Sequence, residues 1–349
     1  MDIEERIKSV GKNKESMLKL DDLGLRSLPE SIRQLTHVTK LSLRDNKLTV
    51  LPEWIGQLTQ LTELDVVGNR LENLPDSLCE LTNLKLINFC WNELSSVPEG
   101  IVQLKNLTEF NLIGNDFTVF PDVICNLPQL TTLLLAINKI ETIPVCVDRL
   151  THLQELRLDE NRLRTLPSSL KHNKKLKNLC LGKNPLKSIP EVIFVIAALE
   201  NLNLYNCQLD TLSESIGKLT NLRVLNLGNN RIDVLPSAIK RLKKMEYLYL
   251  VGNGLKELPE TIFQLSKLKS LYSSDNNIAH LSDSISRLEH IQCVDLSENK
   301  LKRLPVSLTK LKNLTYLNVD KNPLEFPPAE VVENGLEEIF NFLNEAAEI

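Results

Sequence analysis

The seven cysteines of this 349-residue chain never form a C-x-x-C pair. Cys79, Cys90, Cys125, Cys146, Cys180, Cys207 and Cys293 are scattered and odd in number. That spacing excludes both a zinc-ribbon pattern and a disulfide framework, and it suits a reducing compartment. Long hydrophobic runs are missing too. The longest, VIFVIAAL at 192–199, is far short of the roughly 20 apolar residues that cross a bilayer as a helix. The opening MDIEERIKSV has no apolar core of a secretory signal, and the ends lack clustered cysteines, so a cytoplasmic location is expected. Neither charge dominates: the net charge is −4, which argues against general nucleic-acid binding. No G-x-x-x-x-G-K-[ST] occurs; GKNKES at 11–16 and GKLT at 217–220 lack the upstream glycine of a phosphate loop. His37, His152, His172, His280 and His290 lie far apart, and none is spaced from a cysteine as a nucleophile and base would be. No catalysis, metal or cofactor is expected.

A regular period takes the place of these features. Stepping by 23 from Val38 gives Leu61, Leu84, Leu107, Leu130, Leu153, Leu176, Leu199, Leu222, Met245, Leu268, Ile291 and Leu314, every one apolar and without an insertion. Eight residues on stands a polar column, Asn46, Asn69, Asn92, Asn115, Asn138, Asn161, Asn184, Cys207, Asn230, Asn253, Asn276, Asn299 and Asn322. A proline column runs from Pro29 to Pro328, with Ser213 and Ser282 in its place in two repeats. The sequons at Asn106 and Asn313 share one repeat position and read as products of the repeat.

In LTELDVV (61–67) apolar residues alternate with others, the pattern of a strand with one buried face. Asparagine amides stacked from repeat to repeat can satisfy turn backbone groups that would otherwise be buried unpaired. Cys207 keeps only a weak version of that, so its repeat is expected to be softer. The L-P-x-x-I-x-x-L half returns the chain on the other side, proline setting an extended start and blocking a competing strand. No repeat can bury its own leucines, so stability is summed along a line and the ends need caps. Ile3, Ile7 and Val10 fit an N-terminal helical cap; Val332, Leu336, Ile339, Phe340 and Leu343 fit a C-terminal one. The expected organisation is a cap and imperfect first repeat at 1–37, thirteen repeats over 38–328, and a capping helix at 329–349. That makes an α/β repeat: one curved solenoid, or horseshoe, with a parallel concave sheet and no second domain.

The pattern L-x-x-L-x-L-x-x-N/C-x-L marks a leucine-rich repeat. Its 23-residue form, with the ending NPLEFPPAEVVENGLEEIFNFL, resembles the Ras-group, or plant-intracellular-type, subfamily. Members include the Ras suppressor protein, scribble-type and Ras/MAP-kinase scaffolds, segments of Roco GTPases and bacterial effectors. The resemblance covers nearly the whole chain. It implies a non-catalytic intracellular scaffold for a folded protein partner such as a small GTPase, phosphatase or kinase component. A bacterial effector or host-directed adaptor of the same fold, or the recognition part of a larger enzyme, are the alternatives. A monomer is favoured.

With the 23-step column as position one, positions three, five and seven point outward and position eight ends the strand. Trp91, one of only two tryptophans, stands at position eight, where other repeats hold mostly glycine or polar residues. It therefore cannot be core. Val67, Leu86, Cys90, Ile113, Leu134, Ala136 and Ile137 share the outward face in adjacent repeats, close enough at about 4.8 Å between strands to touch. A patch of roughly a few hundred Å2 is the size that signals interaction. All five tyrosines, Tyr205, Tyr247, Tyr249, Tyr272 and Tyr316, also take outward positions, and tyrosine is favoured at interface hot spots. Arg44, Asp65 and Arg157, with Lys40, Asp45, Glu63, Asp159 and Glu160, supply charge that would set register and on-rate. Elsewhere the basic run KHNKKLKNL (171–179) reads as a solvated surface. Trp54 and Phe263 read as single exposed aromatics; Phe194, Val195 and Ala198, apolar where other repeats are polar on the returning side, read as either a lateral contact or a local hydrophobic filler.

Overall fold

The computed structural model describes residues 3–347. They divide into two compact units that meet in sequence at Leu176 and Lys177. The first begins with helix α1 (Ile3–Asn13), which buries Ile7 and Val10. Its strands are β1 (Met17–Lys19), β2 (Lys40–Ser42), β3 (Glu63–Asp65), β4 (Leu86–Asn88), β5 (Glu109–Asn111), β6 (Thr132–Leu134) and β7 (Glu155–Arg157). The second holds β8 (Asn178–Cys180), β9 (Asn201–Asn203), β10 (Val224–Asn226), β11 (Tyr247–Tyr249), β12 (Ser270–Tyr272), β13 (Cys293–Asp295) and β14 (Tyr316–Asn318), followed by α2 (Ala329–Glu333) and α3 (Leu336–Ala347). Gly335, at a φ of 92°, separates these last two helices. Within each unit sheet order follows chain order and pairing is parallel. Each residue pairs with the one 23 positions away, as Leu64 does with Ile87. The architecture is the α/β repeat solenoid that the columns predict.

In β3, β4 and β5, each three residues long, the central residue is buried and the flanking outward residues are half-exposed. The column residues Leu61, Leu84, Leu107, Leu222 and Leu268 are fully buried. On the far side the chain returns through short 3-10 turns that begin at the proline column. Pro52 and Pro98 open theirs with extended backbone and no side-chain cap. Where serine replaces proline the start is made differently: Ser213 Oγ accepts from the Ser215 amide and Ser282 Oγ from the Ser284 amide, each at 3.1 Å. A cap bond does there what the fixed proline ring does elsewhere.

Two aromatic expectations fail on this return side. Trp54 is only 9% exposed and Phe263 1%. Both lie on 3-10 turns packed against those of neighbouring repeats, so a site that is open in one repeat is roofed by the next. Phe194 is buried for the same reason, while Val195 stays exposed. The basic run conceals Asn173, fully buried in the column that leucine fills in most other repeats. Its Nδ2 donates to the carbonyls of Val147 and Leu150 at 3.0 Å.

Candidate interaction surface

The asparagine column fixes where the outward side chains stand. Asn138 Oδ1 accepts from the Phe117 amide one repeat back at 3.1 Å. Its Nδ2 faces the carbonyls of Leu112 (3.0 Å), Leu135 (3.1 Å) and Ala136 (3.2 Å). The same set recurs at Asn92, Asn115, Asn230 and Asn276. At Cys207 the thiol takes over part of the role, donating to the Leu181 carbonyl at 3.2 Å.

To bring its asparagine inward the chain turns sharply one residue earlier. Position eight is accordingly left-handed in both units, with φ of 53° at Asp45, 54° at Glu160, 52° at Asn229 and 56° at Lys321. Gly68, Gly114 and Gly252 take the same turn at 64–67°. Trp91 and Ile137 take it too, both at 55°. This conformation suits glycine and asparagine and is a genuine outlier for a bulky or β-branched residue.

Trp91 is 53% exposed, and its indole lies over the next repeat's position eight. A β-carbon on Gly114 would come within 2.5 Å of the indole Cε3. Asp45 covers Gly68, and Asn229 covers Gly252, in the same manner. Trp91, Gly114 and Ile137 are thus successive members of one row, with the indole spread across the gap the glycine leaves. Leu86, Ile113, Leu134 and Ile137 are half-buried on this face. Ala136, expected to stand outward with them, is only 4% exposed, a methyl too short to rise above the row.

Charged residues of the first unit form ion pairs, two of them across strands. Arg44 binds Asp65 at 2.5 and 2.7 Å, and this hydrogen bond first, with the charge attraction second, raises the guanidinium pKa. Lys40 pairs with Glu63 at 2.7 Å. Arg157 meets Asp159 at 3.4 Å. Burial pushes the Asp159 carboxyl above the usual range, while Arg157 pulls the other way.

In the second unit the outward face is built of phenols and amides. Tyr249 and Tyr272 stack with ring centroids 4.9 Å apart and planes 2° from parallel. Tyr205 accepts a 2.6 Å hydrogen bond from Asn229 Nδ2. Tyr247 stands on β11 beside them, half-buried, and Tyr316 on β14 is 49% exposed. Burial raises the Tyr249 pKa; a hydrogen bond with Cys293 first, then burial, pushes Tyr272 up to about 12. Sequence reasoning missed the asparagines at position five: Asn111, Asn203 and Asn226 each accept at 3.0 Å from the amide two residues on. The signal was present, since asparagine recurs at that position, but an Asx turn inside a strand pattern is easily read as a plain outward residue. Among the described residues no cluster of three or more His, Cys, Asp or Glu side chains could hold a metal ion. Nor is any helix long and apolar enough to cross a membrane.

The leucine-rich repeat region family matches residues 17–133, 119–229 and 210–278, and a second leucine-rich repeat family matches 266–324. The chain belongs to the leucine-rich repeat family. A leucine-rich repeat protein of Leptospira interrogans is 35% identical over 94% of this chain and 82% of its own, with a TM-score of 0.88. An internalin of Listeria monocytogenes shares the fold at 21% identity and a TM-score of 0.79, over 90% of this chain and 93% of its own. A plant peptide hormone receptor, solved in complex with its hormone, is 28% identical with a TM-score of 0.66. That match covers 88% of this chain and 56% of the receptor. No curated protein matches significantly. Leucine-rich repeats typically serve as non-catalytic protein-interaction modules.

Proposed function

We propose that this leucine-rich repeat protein is a non-catalytic intracellular scaffold that binds a folded protein partner on the outward strand face. Trp91, Leu86, Ile113, Leu134 and Ile137 form one anchor, and Tyr205, Tyr247, Tyr249, Tyr272 and Tyr316 the other. Arg44, Asp65 and Arg157 steer the encounter. The observation that carries this is Trp91 itself: a large apolar side chain, half-exposed, held in a left-handed backbone that opposes it. The repeat imposes this turn at every position eight, at a cost of about 1–3 kcal/mol for a bulky residue, and the choice of a tryptophan to occupy it is what asks for a function. By resemblance to the Ras-group repeats the partner is a small GTPase, phosphatase or kinase component, and the protein works as a monomer in the cytoplasm.

The test is affinity capture read by mass spectrometry, wild type beside Trp91→Ala with Ile137→Ala. The double variant loses the partner and melts at nearly the wild-type temperature. A partner retained in full by the double variant, or a variant that unfolds, refutes this reading. The 35% identity to a Leptospira protein favours a second reading, a bacterial effector or host-directed adaptor. Capture from a host lysate, but not from a lysate of the source cells, would select it.

A further inference from the structure

The return side carries a cysteine pair that the interaction surface does not use. Counting from the same column, position 19 of one repeat lies against position 17 of the next. Three junctions show how close they come. A β-carbon on Gly56 would stand 3.0 Å from the Ser77 Cβ, one on Gly100 3.1 Å from the Cys79 Cβ, and one on Gly217 2.8 Å from the Ala238 Cβ. Two real side chains cannot approach so far, and glycine takes one side of each junction. A disulfide needs Cβ atoms about 3.5–4.5 Å apart, a spacing these positions reach once each carries a side chain and they part slightly.

Cys125 and Cys146 occupy this pair of positions in adjacent repeats of the first unit. Cys125 lies on the 3-10 turn Asp122–Asn126 and Cys146 on Val145–Arg149. Both are reduced. The Cys146 Sγ lies 3.9 Å from the Asp122 carbonyl, which places it over the turn that carries Cys125. Cys125 is 2% exposed, whereas Cys146 is half-buried and open to solvent. We infer that Cys125 and Cys146 form a thiol–disulfide exchange site that takes a low-molecular-weight disulfide as oxidant.

The exposure difference sets the order of events. The Cys146 thiolate attacks one sulfur of the small disulfide, and one small thiolate leaves. Cys125 then gives up its proton and attacks Cys146 Sγ, releasing the second small thiol. Two protein thiols are oxidised to one disulfide and one small disulfide is reduced to two thiols. Burial, with the adjoining Cys146 second, holds the Cys125 thiol well above its ordinary pKa. That keeps it from starting the exchange; it resolves the mixed disulfide by its position against Cys146. In a reducing compartment such a bond is transient, as a redox sensor requires. It would tie together, from behind, the repeats that carry Ile113 and Leu134.

The experiment exposes the folded 349-residue chain to oxidised glutathione, traps remaining thiols by alkylation, and maps peptides without reduction. The expected product has a Cys125–Cys146 linked peptide and two fewer alkylated thiols than the seven in the sequence. Cys79, in the same buried position but facing Gly100, is the internal control and stays reduced. Cys125→Ser should stop at a glutathione adduct on Cys146, and Cys146→Ser should leave Cys125 unmodified. A wild-type chain that keeps glutathione on Cys146 without cross-linking overturns the inference. So does a linked peptide that appears only in denaturing urea, or a Cys146 that never reacts. None of these readouts involves a binding partner.

Discussion

The two units share one backbone and one 23-residue register, yet their edges and faces are chemically unlike. At position two the first unit repeats threonine: Thr62, Thr108 and Thr131 each donate to a carbonyl one repeat back, at 2.9–3.1 Å. From Lys177 to Lys269 the second unit fills that position with alternating charge, before Gln292 and a threonine, Thr315, that bonds as those of the first unit do. Lys177 meets Glu200 at 2.9 Å, and Glu246 is clamped between Arg223 (2.6 Å) and Lys269 (2.7 Å). Those two cations pull the Glu246 carboxyl below its usual range, Lys269 first. The outward faces differ in the same sense, with strained apolar side chains in one and stacked phenols with bonded amides in the other. The leucine and asparagine columns specify where a side chain stands and leave its chemistry open. A repeat array can therefore change what it presents without changing how it folds.

The largest effect is expected where the units agree. Asn138→Ala strands several buried backbone groups and should lower stability by about 1–3 kcal/mol in urea unfolding. Asn230→Ala in the second unit should do the same, and a clear inequality would show that the column does not serve both alike. Next comes a gain. Ile137→Gly relieves a left-handed β-branched residue and should raise stability by about 1 kcal/mol, while the same change at Asn229, which also gives up its bond to Tyr205, brings no gain. A loss at Ile137 would mean that packing on that face outweighs the backbone strain.

The alkaline limb separates the units further. Tyr272 is held protonated in the fold, with its pKa raised from the ordinary 10 to about 12. Its contribution is complete below pH 10 and is lost as pH rises through 12. Tyr272→Phe should flatten that part of the stability profile, and absorbance titration should find this phenol ionising late. The smallest change belongs to the charged edge. Glu246→Gln should cost less than about 1 kcal/mol and shrink further in added salt, whereas Thr131→Val should respond to salt hardly at all. Equal salt dependence at the two edges would erase the distinction between them.

Most of the fold was legible because a solenoid repeats its evidence. A single leucine says little, but one every 23 residues fixes strand, face and register together. The outward placement of Trp91, Leu134 and the tyrosines followed from that arithmetic. Trp54 and Phe263 were misread because burial on the return side depends on what the neighbouring repeat places above the turn, and spacing within one repeat does not carry that. Asn173 was hidden for a related reason: its charged neighbours masked a leucine position. The left-handed turn at position eight was implicit in its glycines and asparagines, and was obscured by the lysines, glutamates, tryptophan and isoleucine that share the column.

Gly114 ties residues that sequence distance would separate. Since the indole of Trp91 occupies the space a side chain at 114 would need, the two positions are not independently mutable, and Asp45 with Gly68 and Asn229 with Gly252 are bound by the same rule. Anyone redesigning this surface has to vary it in couples 23 residues apart. A library that enlarges residue 114 beneath an unchanged tryptophan will be populated mostly by chains that have shed the indole from its seat.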